Sequence, residues 1–352
     1  MPKKDDTWRI IMDLSSPHGS LINDFVTKDD YTLHYASFDE ALTLVPLYGQ
    51  KALLAKLDIK DAFLLYPVRL EDHKLLGIHW QGKFYVDLHL PFGLRSFPYL
   101  FNRIADTFDW LLKSNYHIQD LMHYLDDYFT VSSANSSVCA HNIKTILHVA
   151  SRVGIPLAPN KLDGPTTRLV FLGILIDTDC METSLPDDKL HELISELQSW
   201  STRKKCLKQE LLSLIGKLNF ACWIIPAGCI FLRHPIDLST SARLPHHYVT
   251  MNREARHDIA WWLRFFPLGM AGPLYLTPIG PNHQIWSSSR IPLADLAMAS
   301  FTWATGLPSP GPLNSKTDQF SGKSSTPLPL HAFSGISSGR ERSSSFPATT
   351  KQ

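Results

Sequence analysis

The stretch that decides the fold is His123-Tyr124-Leu125-Asp126-Asp127-Tyr128. It lies inside a largely apolar run, residues 121–131, whose pattern predicts two short strands meeting at Asp126-Asp127. The tip of such a hairpin would bring both carboxylates to one point. An isolated pair of aspartates is usually just a turn, because Asp side chains hydrogen-bond to the turn backbone. The apolar flanks, and a second acidic strand end elsewhere in the chain, favour a functional site.

The second acidic segment is Lys56-Leu57-Asp58-Ile59-Lys60-Asp61, where an apolar strand enters a turn or short helix. Three carboxylates brought within about 4 Å would repel by roughly 4 kcal/mol per pair at an effective dielectric constant of about 20. Such groups protonate or move apart unless cations neutralise them. Mg²⁺ prefers oxygen ligands, and two ions can stabilise both the attacking and the leaving oxygen of a phosphoryl displacement. The sequence therefore predicts a metal-dependent phosphoryl-transfer site.

The order of elements predicts an α+β lobe followed by a helical lobe. Up to about residue 180, strand patterns at 53–65, 83–90 and 169–176 alternate with helix patterns at 93–113 and 141–153, the latter ending at Gly154. Amphipathic helices are then predicted at 187–200, 208–223 and 253–266. Ser, Pro and Gly dominate from about residue 280, which predicts a disordered tail.

The overall composition excludes some classes of protein. The chain has 352 residues, with 34 Lys plus Arg and 33 Asp plus Glu, for a formal net charge of +1. This balance argues against a uniformly basic coat protein and an acidic disordered protein, but not against a polymerase. The five cysteines include no CxxC pair, which favours a reducing compartment over a zinc or disulfide framework. We expect an intracellular protein, cytoplasmic or nuclear and not secreted, without a membrane segment.

Several motifs in a fixed order resemble reverse transcriptases, most closely those of DIRS-like retrotransposons, over residues 3–270. The resemblance implies a right-hand polymerase. Residues 1–180 would form the fingers and palm, 181–235 a thumb-like helical lobe, and 236–282 a connection-like segment. The implied activity is RNA-directed DNA synthesis, which extends a primer with dNTPs on an RNA or DNA template. It would use two Mg²⁺ ions, with Mn²⁺ as a possible substitute; the oligomeric state stays open.

The same resemblance assigns the catalytic residues. Asp58, Asp126, Asp127 and the Ile59 carbonyl would bind the metal ions, within the motifs quoted above and Tyr-Leu-Asp-Asp. Tyr124 would face the primer terminus. Lys161, in Pro159-Asn160-Lys161, would donate a proton to the leaving pyrophosphate. A plain surface lysine is the alternative interpretation of Lys161.

The nucleotide-binding residues come from three segments. The segment that begins at Lys3-Lys4 and contains Arg9 resembles the fingers motif that grips a triphosphate. The second segment would line the nucleotide with Asp61, Ala62 and Phe63, where Phe63 is the steric gate against a 2′-hydroxyl or, alternatively, a core aromatic. The third is the loop at Phe92-Gly93, where Gly93 permits close backbone approach. Phe97 departs from the family pattern of a small residue before Pro98, and we expect its ring to crowd the nucleotide floor.

Two later segments would hold the primer and template. Phe171-Leu172-Gly173 resembles the primer-grip hairpin, although a buried strand fits those residues equally well. In the thumb-like helix, the residues that would track the duplex are Gly216, Lys217, Asn219 and Phe220. The basic cluster at 203–208 suits phosphates, but a charge run is more often a solvated face.

Two other functions stay open at this point. The first is a non-catalytic nucleic-acid-binding relic of a decayed retroelement. The second is an RNA-dependent RNA polymerase, against which Phe63 and the thumb-like helix argue. Residues 283–352 hold few carboxylates: Asp295, Asp318 and Glu341. An RNase H site needs about four around two metals, so we expect no complete RNase H domain there.

Overall fold

A computed structural model describes residues 11–15, 19, 21–33, 35–36, 38–266 and 272–273, with the backbone alone at 63–64 and 272–273. Its α-helices are α1 (Phe38–Tyr48), α2 (Phe97–Tyr116), α3 (Val138–Val153), α4 (Asp187–Thr202), α5 (Lys208–Ala221), α6 (Arg233–Thr240) and α7 (Arg253–Phe265). Its strands are β1 (Leu53–Asp58), β2 (Gly77–Trp80), β3 (Lys83–Val86), β4 (Leu121–Tyr124), β5 (Asp127–Ser132), β6 (Asp163–Thr166), β7 (Arg168–Phe171), β8 (Ile174–Asp177), β9 (Glu182–Ser184), β10 (Lys205–Leu207), β11 (Tyr248–Thr250) and β12 (Gly272–Pro273).

The central sheet has the strand order β4-β5-β1-β6, and its pairs are antiparallel. Alternating residues of β4 and β5 enter two different cores, because successive side chains of a strand point to opposite faces. Leu121 and Tyr128 join a core with residues of α2 and α3. Met122 and Phe129 join another core that contains α1 and the helices after residue 187. The sheet is thus covered on both faces.

The second half of the chain packs onto the α1 side. A second antiparallel sheet has the order β12-β9-β8-β7, and its Phe171 stacks on Phe129 of the central sheet at 4.7 Å between ring centroids. Helices α4 to α7 follow and pack against one another, with α6 contacting α5 and α7, and α7 contacting α4. The two-stranded ribbon β10–β11 ties the start of α5 to the segment before α7.

Most predicted elements are present, and the fold class is α+β as expected. The predicted helix at 93–113 is the main shift: α2 begins at Phe97, because Gly93 adopts a φ of +107° that no α-helix accommodates. The predicted strand at 83–90 ends at Val86. The run at 169–176 divides into the hairpin β7–β8, with Leu172 and Gly173 at its turn. Helices α1 and α6 were not predicted.

The domain boundaries remain sequence-based proposals. In the structure, α6 and α7 pack with α4 and α5, so the connection-like segment at 236–282 shares its core with the thumb-like lobe. The disordered tail predicted at 283–352 lies outside the described residues. Within those residues, no helix combines the length and apolarity needed to span a lipid bilayer.

Candidate active site

The β4–β5 hairpin and the end of β1 bring the three predicted metal-binding aspartates together. Asp58 pairs with Asp127 across the β1–β5 ladder, and Tyr124 pairs with Asp127 across the hairpin. Leu125 turns the chain with a φ of +54°. The Ile59 backbone N–H donates a hydrogen bond to the Asp126 carbonyl at 2.9 Å, which fixes the tip against the segment after β1. The predicted hairpin geometry is therefore present.

Lys161 lies beside these carboxylates. The backbone N–H of Ala158 donates to the Asp58 carbonyl at 2.9 Å, and a short 3-10 helix at Pro159–Lys161 follows. The Lys161 Nζ then donates to Asp58 Oδ2 at 2.6 Å. Asp58 is nearly buried, so this ion pair lies at the edge of the core. The Lys161 ammonium thus forms an ion pair with Asp58, and its role as a proton donor stays a prediction.

The electrostatics of the cluster centre on Asp127. Burial, and then the charges of Asp126 and Asp58, raise the pKa of its carboxyl to about 7, against the opposing effects of Lys161 and Lys56. Burial alone would lower the pKa of Lys161. Its hydrogen bond to Asp58 and the charges of the three aspartates outweigh that effect and raise the pKa. One ammonium therefore offsets part of the negative charge, and the repulsion that remains is felt at Asp127.

The donor set suits a hard divalent cation. Carboxylates and a backbone carbonyl are the oxygen ligands that Mg²⁺ and Mn²⁺ accept. The pKa of Asp127 is raised because its carboxyl is buried beside the charges of Asp126 and Asp58, which a bound cation would offset. In the part of the chain that the structure describes, no three acidic, imidazole or thiol groups already surround one point at ligand spacing. Asp58 would have to turn from Lys161 toward a cation, so the residues fit the ions chemically and would rearrange to hold them.

Tyr124 has an aromatic neighbour, Tyr35, that no sequence pattern predicted. The ring of Tyr35, 45% exposed, lies 5.4 Å from that of Tyr124, tilted by 32°. Burial raises the pKa of the Tyr124 hydroxyl, and Tyr35, Asp126 and Asp127 add to this effect. The pair forms a partly exposed aromatic surface beside the carboxylates. No sequence signal identifies Tyr35, because it precedes α1 without any recognisable pattern.

The loop at Phe92-Gly93 is held by Asn23, a second residue without an assigned role. The buried Asn23 side chain donates to the Gly93 carbonyl and to Ser15 Oγ, both at 2.8 Å, and accepts from the backbone N–H of Arg95 at 2.8 Å. The space at Gly93 is filled by protein, since an added Cβ would lie 2.0 Å from the Met12 carbonyl. The close approach predicted for Gly93 is thus a contact with the chain's own backbone.

The other predicted nucleotide-binding residues differ in exposure, and some lie outside the described residues. Asp61 is exposed, with a left-handed φ of +49°, and Phe63 lies in the 3-10 turn Ala62–Leu65. The Ala62 side chain is buried in the core, and its place beside the nucleotide stays a prediction. Phe97 is also a core residue, 2% exposed and stacked near Phe101, so its ring does not form an open floor. The predicted phosphate contacts lie outside the described residues: Lys3, Lys4 and Arg9.

Most of the residues predicted to contact primer and template have buried or ion-paired side chains. Phe171 is a core residue, and only the turn residues Leu172 and Gly173 are partly exposed. In α5, Gly216 and Phe220 are buried, and their contact with a duplex stays a prediction. The Lys217 ammonium is bound between carboxylates of α4, and Asn219 keeps a partly exposed side chain. Helical periodicity identified α5 correctly but could not separate its core face from a binding face.

Comparison with known families assigns the chain to a family. Residues 1–176 match the family described as reverse transcriptase (RNA-dependent DNA polymerase), and this match contains all four residues of the carboxylate–lysine cluster. The chain belongs to the reverse transcriptase family. It is a reverse transcriptase domain of the retroelement type.

The relatives of this reverse transcriptase domain are long polyproteins. It is 28% identical over 226 residues to the Pro-Pol polyprotein of simian foamy virus type 1, covering 64% of this chain and 18% of that protein. It is 24% identical over 241 residues to the Transposon Tf2-3 polyprotein of Schizosaccharomyces pombe, covering 67% of this chain and 16% of that protein. The chain thus spans less than a fifth of either relative.

Solved structures with the same fold include foamy viral protease–reverse transcriptases. The dRH form in complex with dsDNA aligns with a TM-score of 0.59 at 22% identity, covering 78% of this chain and 43% of that one. Another complex with dsDNA gives a TM-score of 0.53 at 21% identity, covering 69% and 46%. These likenesses show that the reverse transcriptase domain has the polymerase fold.

Proposed function

We propose that the domain catalyses RNA-directed DNA synthesis, adding dNTPs to the 3′-hydroxyl of a primer. The observation that carries this proposal is the carboxylate cluster of Asp58, Asp126 and Asp127 with the Lys161 ammonium at its edge. When bound, two Mg²⁺ ions, or Mn²⁺ in their place, would neutralise the charge that develops in phosphoryl transfer. The aspartates and the Ile59 carbonyl would hold them.

The chain's own residues have distinct roles in this proposal. The hairpin tip brings Asp126 and Asp127 beside Asp58, so ions held there would position the primer hydroxyl and the nucleotide phosphate for reaction. Lys161, whose Nζ lies 2.6 Å from Asp58, would donate a proton to the leaving pyrophosphate. Tyr124, with Tyr35 beside it, offers an aromatic surface to the primer terminus. Solved foamy viral protease–reverse transcriptases are in complex with dsDNA and with RNA/DNA hybrid, which supports a primer–template as substrate.

Primer extension on poly(rA)/oligo(dT) with Mg²⁺ or Mn²⁺ tests the proposal. We expect dTTP incorporation by the full chain and none by Asp126→Asn, because the substitution removes a charged metal ligand while keeping the shape of the side chain. No signal from either protein would favour the alternative of a non-catalytic nucleic-acid-binding relic, and equal incorporation by both would show that Asp126 is not a required metal ligand. The buried position of Phe97 weakens one argument for that relic, since the ring does not block an open site.

The steric-gate role of Phe63 is a separate part of the proposal. A ring beneath C2′ of the incoming nucleotide leaves no room for a 2′-hydroxyl, so dNTPs would be preferred. Phe63→Ala should therefore raise incorporation of ribonucleotides relative to deoxyribonucleotides, measured as the ratio of kcat/KM values. An unchanged ratio would remove Phe63 from this role.

The affiliation with DIRS-like elements is also proposed here. It rests on Leu14-Ser15-Ser16-Pro17 and Ile22-Asn23-Asp24. In the structure, Asn23 links Ser15 to the Gly93 loop, so these two segments act together. A tree of reverse transcriptase domains in which this chain groups with Tf2-type elements would contradict the affiliation. We further propose that the domain works inside the cell, in the cytoplasm or nucleus, which immunofluorescence of the tagged chain would test.

A further inference from the structure

Two basic segments far apart in the sequence lie side by side in the helical lobe. Residues 203–209 and 241–253 contain no Asp or Glu, although the chain has 33 acidic residues in total. Their six basic residues are Arg203, Lys204, Lys205, Lys208, Arg243 and Arg253. We call these two segments together the basic ribbon.

Backbone pairing holds the basic ribbon together. Strands β10 and β11 are antiparallel, with Lys205 opposite Thr250 and Leu207 opposite Tyr248. The ladder continues past both strands, because the backbone N–H of Met251 donates to the Lys204 carbonyl at 3.0 Å and that of Lys208 donates to the His247 carbonyl at 2.9 Å. Cys206 and Val249 anchor the ribbon in the core. The backbone pairing therefore brings the two basic segments together.

Four of the six cations are available to a ligand. Arg203 is paired with Glu210 and lies over the Trp200 ring, and the Lys208 ammonium donates to the Ala242 carbonyl. The remaining four are exposed and form no ion pair with a carboxylate in the described residues: Lys204, Lys205, Arg243 and Arg253. Such a concentration of unpaired positive charge attracts a polyanion.

Exposed rings lie among these charges. All six residues from Arg243 to Tyr248 are exposed, and Tyr248 is 73% exposed. His246 and His247 contact each other edge to face, with 5.0 Å between ring centroids. Aromatic faces stack on bases only where the bases are unpaired, since a duplex hides base faces inside its own stack. A basic surface with open rings therefore fits a single strand better than a duplex.

We propose that the basic ribbon binds single-stranded nucleic acid. Ammonium and guanidinium groups from both segments contact successive phosphates, while Tyr248 stacks on a base without reading its identity. This surface is separate from the carboxylate cluster and shares no residue with it. Its binding does not depend on polymerase chemistry, so it goes beyond the proposed function and can be tested without it.

Fluorescence anisotropy with labelled single-stranded oligo(dT) and the full chain tests the charges. The test variant is Lys204→Gln with Arg243→Gln, one change in each segment. The control is Lys144→Gln with Arg152→Gln, which removes the same charge from exposed positions of α3. Each lost phosphate contact should weaken binding roughly fivefold at about 0.1 M salt, and reduce the slope of log K against log salt by about 0.7. Equal effects of test and control variants, or no effect of either, would overturn the proposal.

Tyr248 separates a single strand from a duplex. Tyr248→Phe should keep the affinity for oligo(dT), whereas Tyr248→Ser should lose about fivefold or more. Neither change should alter the affinity for a blunt duplex of equal length. If Tyr248→Ser binds oligo(dT) as well as the parent chain, or loses duplex binding equally, the proposal of single-strand binding is wrong. Unchanged circular dichroism of each variant shows that the fold is kept.

Discussion

At the scale of single residues, Asp127 is the carboxylate of the site whose ionised form is most disfavoured. Its carboxyl is buried beside two other carboxylates, and its pKa is raised to about 7. A carboxyl in an unfolded chain titrates near 4. Between these two values the folded protein binds more protons than the unfolded chain, so the stability falls as the pH rises. Above about pH 7 the folded state carries the full repulsion unless a cation offsets it.

This charge balance predicts a pH-dependent response to metal. Without divalent ions, the melting temperature should fall between pH 5 and pH 8, and Mg²⁺ or Mn²⁺ should raise it more at pH 8 than at pH 6, because metal binding requires an ionised Asp127. Differential scanning fluorimetry at both pH values measures this. Asp127→Asn should remove most of the difference between them. A metal-induced shift that is equal at both pH values in the parent chain would contradict the expectation.

Asn23 provides a second prediction at this scale. Its amide donates to the Gly93 and Ser15 oxygens and accepts from the Arg95 N–H, so all of its polar atoms are used. Asn23→Asp keeps the acceptor but sets a carboxylate oxygen against the Gly93 carbonyl. An unsatisfied buried group costs about 1–3 kcal/mol. We expect the loop to shift and the KM for dNTP to rise about tenfold, with a smaller change in kcat.

The control for Asn23 is Asn102→Asp, a change at an asparagine that bonds only to a solvent-facing Asp106. Steady-state kinetics at saturating primer–template separates the two kinetic constants for both variants. A lower melting temperature with an unchanged dNTP KM would mean that Asn23 only stabilises the fold, and that it does not position the nucleotide loop.

At the scale of elements, the contact between the Gly93 loop and residues 11–15 depends on a glycine. Gly93 has a φ of +107°, and a Cβ added there would lie 2.0 Å from the carbonyl oxygen of Met12. The backbone N–H of Met12 also donates a hydrogen bond to the Phe92 carbonyl. Gly154, which ends α3, has a φ of +78° but nothing within 4 Å of an added Cβ. A side chain at either glycine would have to adopt a positive φ, but only at Gly93 would its Cβ also clash with another part of the backbone.

Gly93→Ala should therefore destabilise the protein more than Gly154→Ala. Both substitutions place a side chain at a positive φ, which costs about 1–2 kcal/mol. Only Gly93→Ala must also displace the backbone of Met12, so we expect a further loss of similar size. Chemical denaturation measures the two free energies of unfolding. Limited proteolysis should cut residues 11–15 faster in Gly93→Ala alone, and equal losses in the two variants would refute the contact.

The strands and the helix α5 were predictable from the sequence, whereas several contacts between distant residues were not. The hairpin with Asp126-Asp127 and the strand ending at Asp58 were predictable, because short apolar runs bounded by turn residues indicate buried strands. The contacts of Asn23 with Gly93 and of Tyr35 with Tyr124 were not, because they join residues about 70 to 90 positions apart without a repeated pattern. In α5 the apolar periodicity predicted the helix. The residues that the family resemblance assigned to the duplex have other contacts in the structure: Gly216 and Phe220 are buried in the core, and Lys217 forms a hydrogen bond with Glu192.

At the scale of the whole molecule, the formal net charge of +1 is the sum of separated regions. The three aspartates form a negative site at the hairpin tip, and the basic ribbon carries positive charge in the helical lobe. A nearly neutral protein can therefore bind nucleic acid through local surfaces, with an affinity that depends strongly on salt. The basic ribbon adds such a surface, and only four of its six charges form one cluster in the sequence.

The palm and the helical lobe also share one continuous core, which determines how the protein unfolds. Phe129 of the central sheet, Leu214 of α5 and Trp262 of α7 belong to the same buried cluster. Units that share a core lose it together, so we expect one cooperative transition for both. Leu214→Ala, at a fully buried position, should cost about 2–5 kcal/mol and lower the stability of the palm as well as the helical lobe.

Two buried free cysteines report on the two parts separately. Cys139 lies in α3 beside the central sheet, and Cys206 lies in β10 of the helical lobe. Thiol labelling across a urea series, read by mass spectrometry, should give the same midpoint for both, and Leu214→Ala should shift both midpoints equally. Exposed Cys180 should label without urea, and Leu147→Ala, at a partly exposed position of α3, should shift neither midpoint much. Labelling of Cys206 at clearly lower urea than Cys139 would instead mean that the helical lobe unfolds as a separate unit.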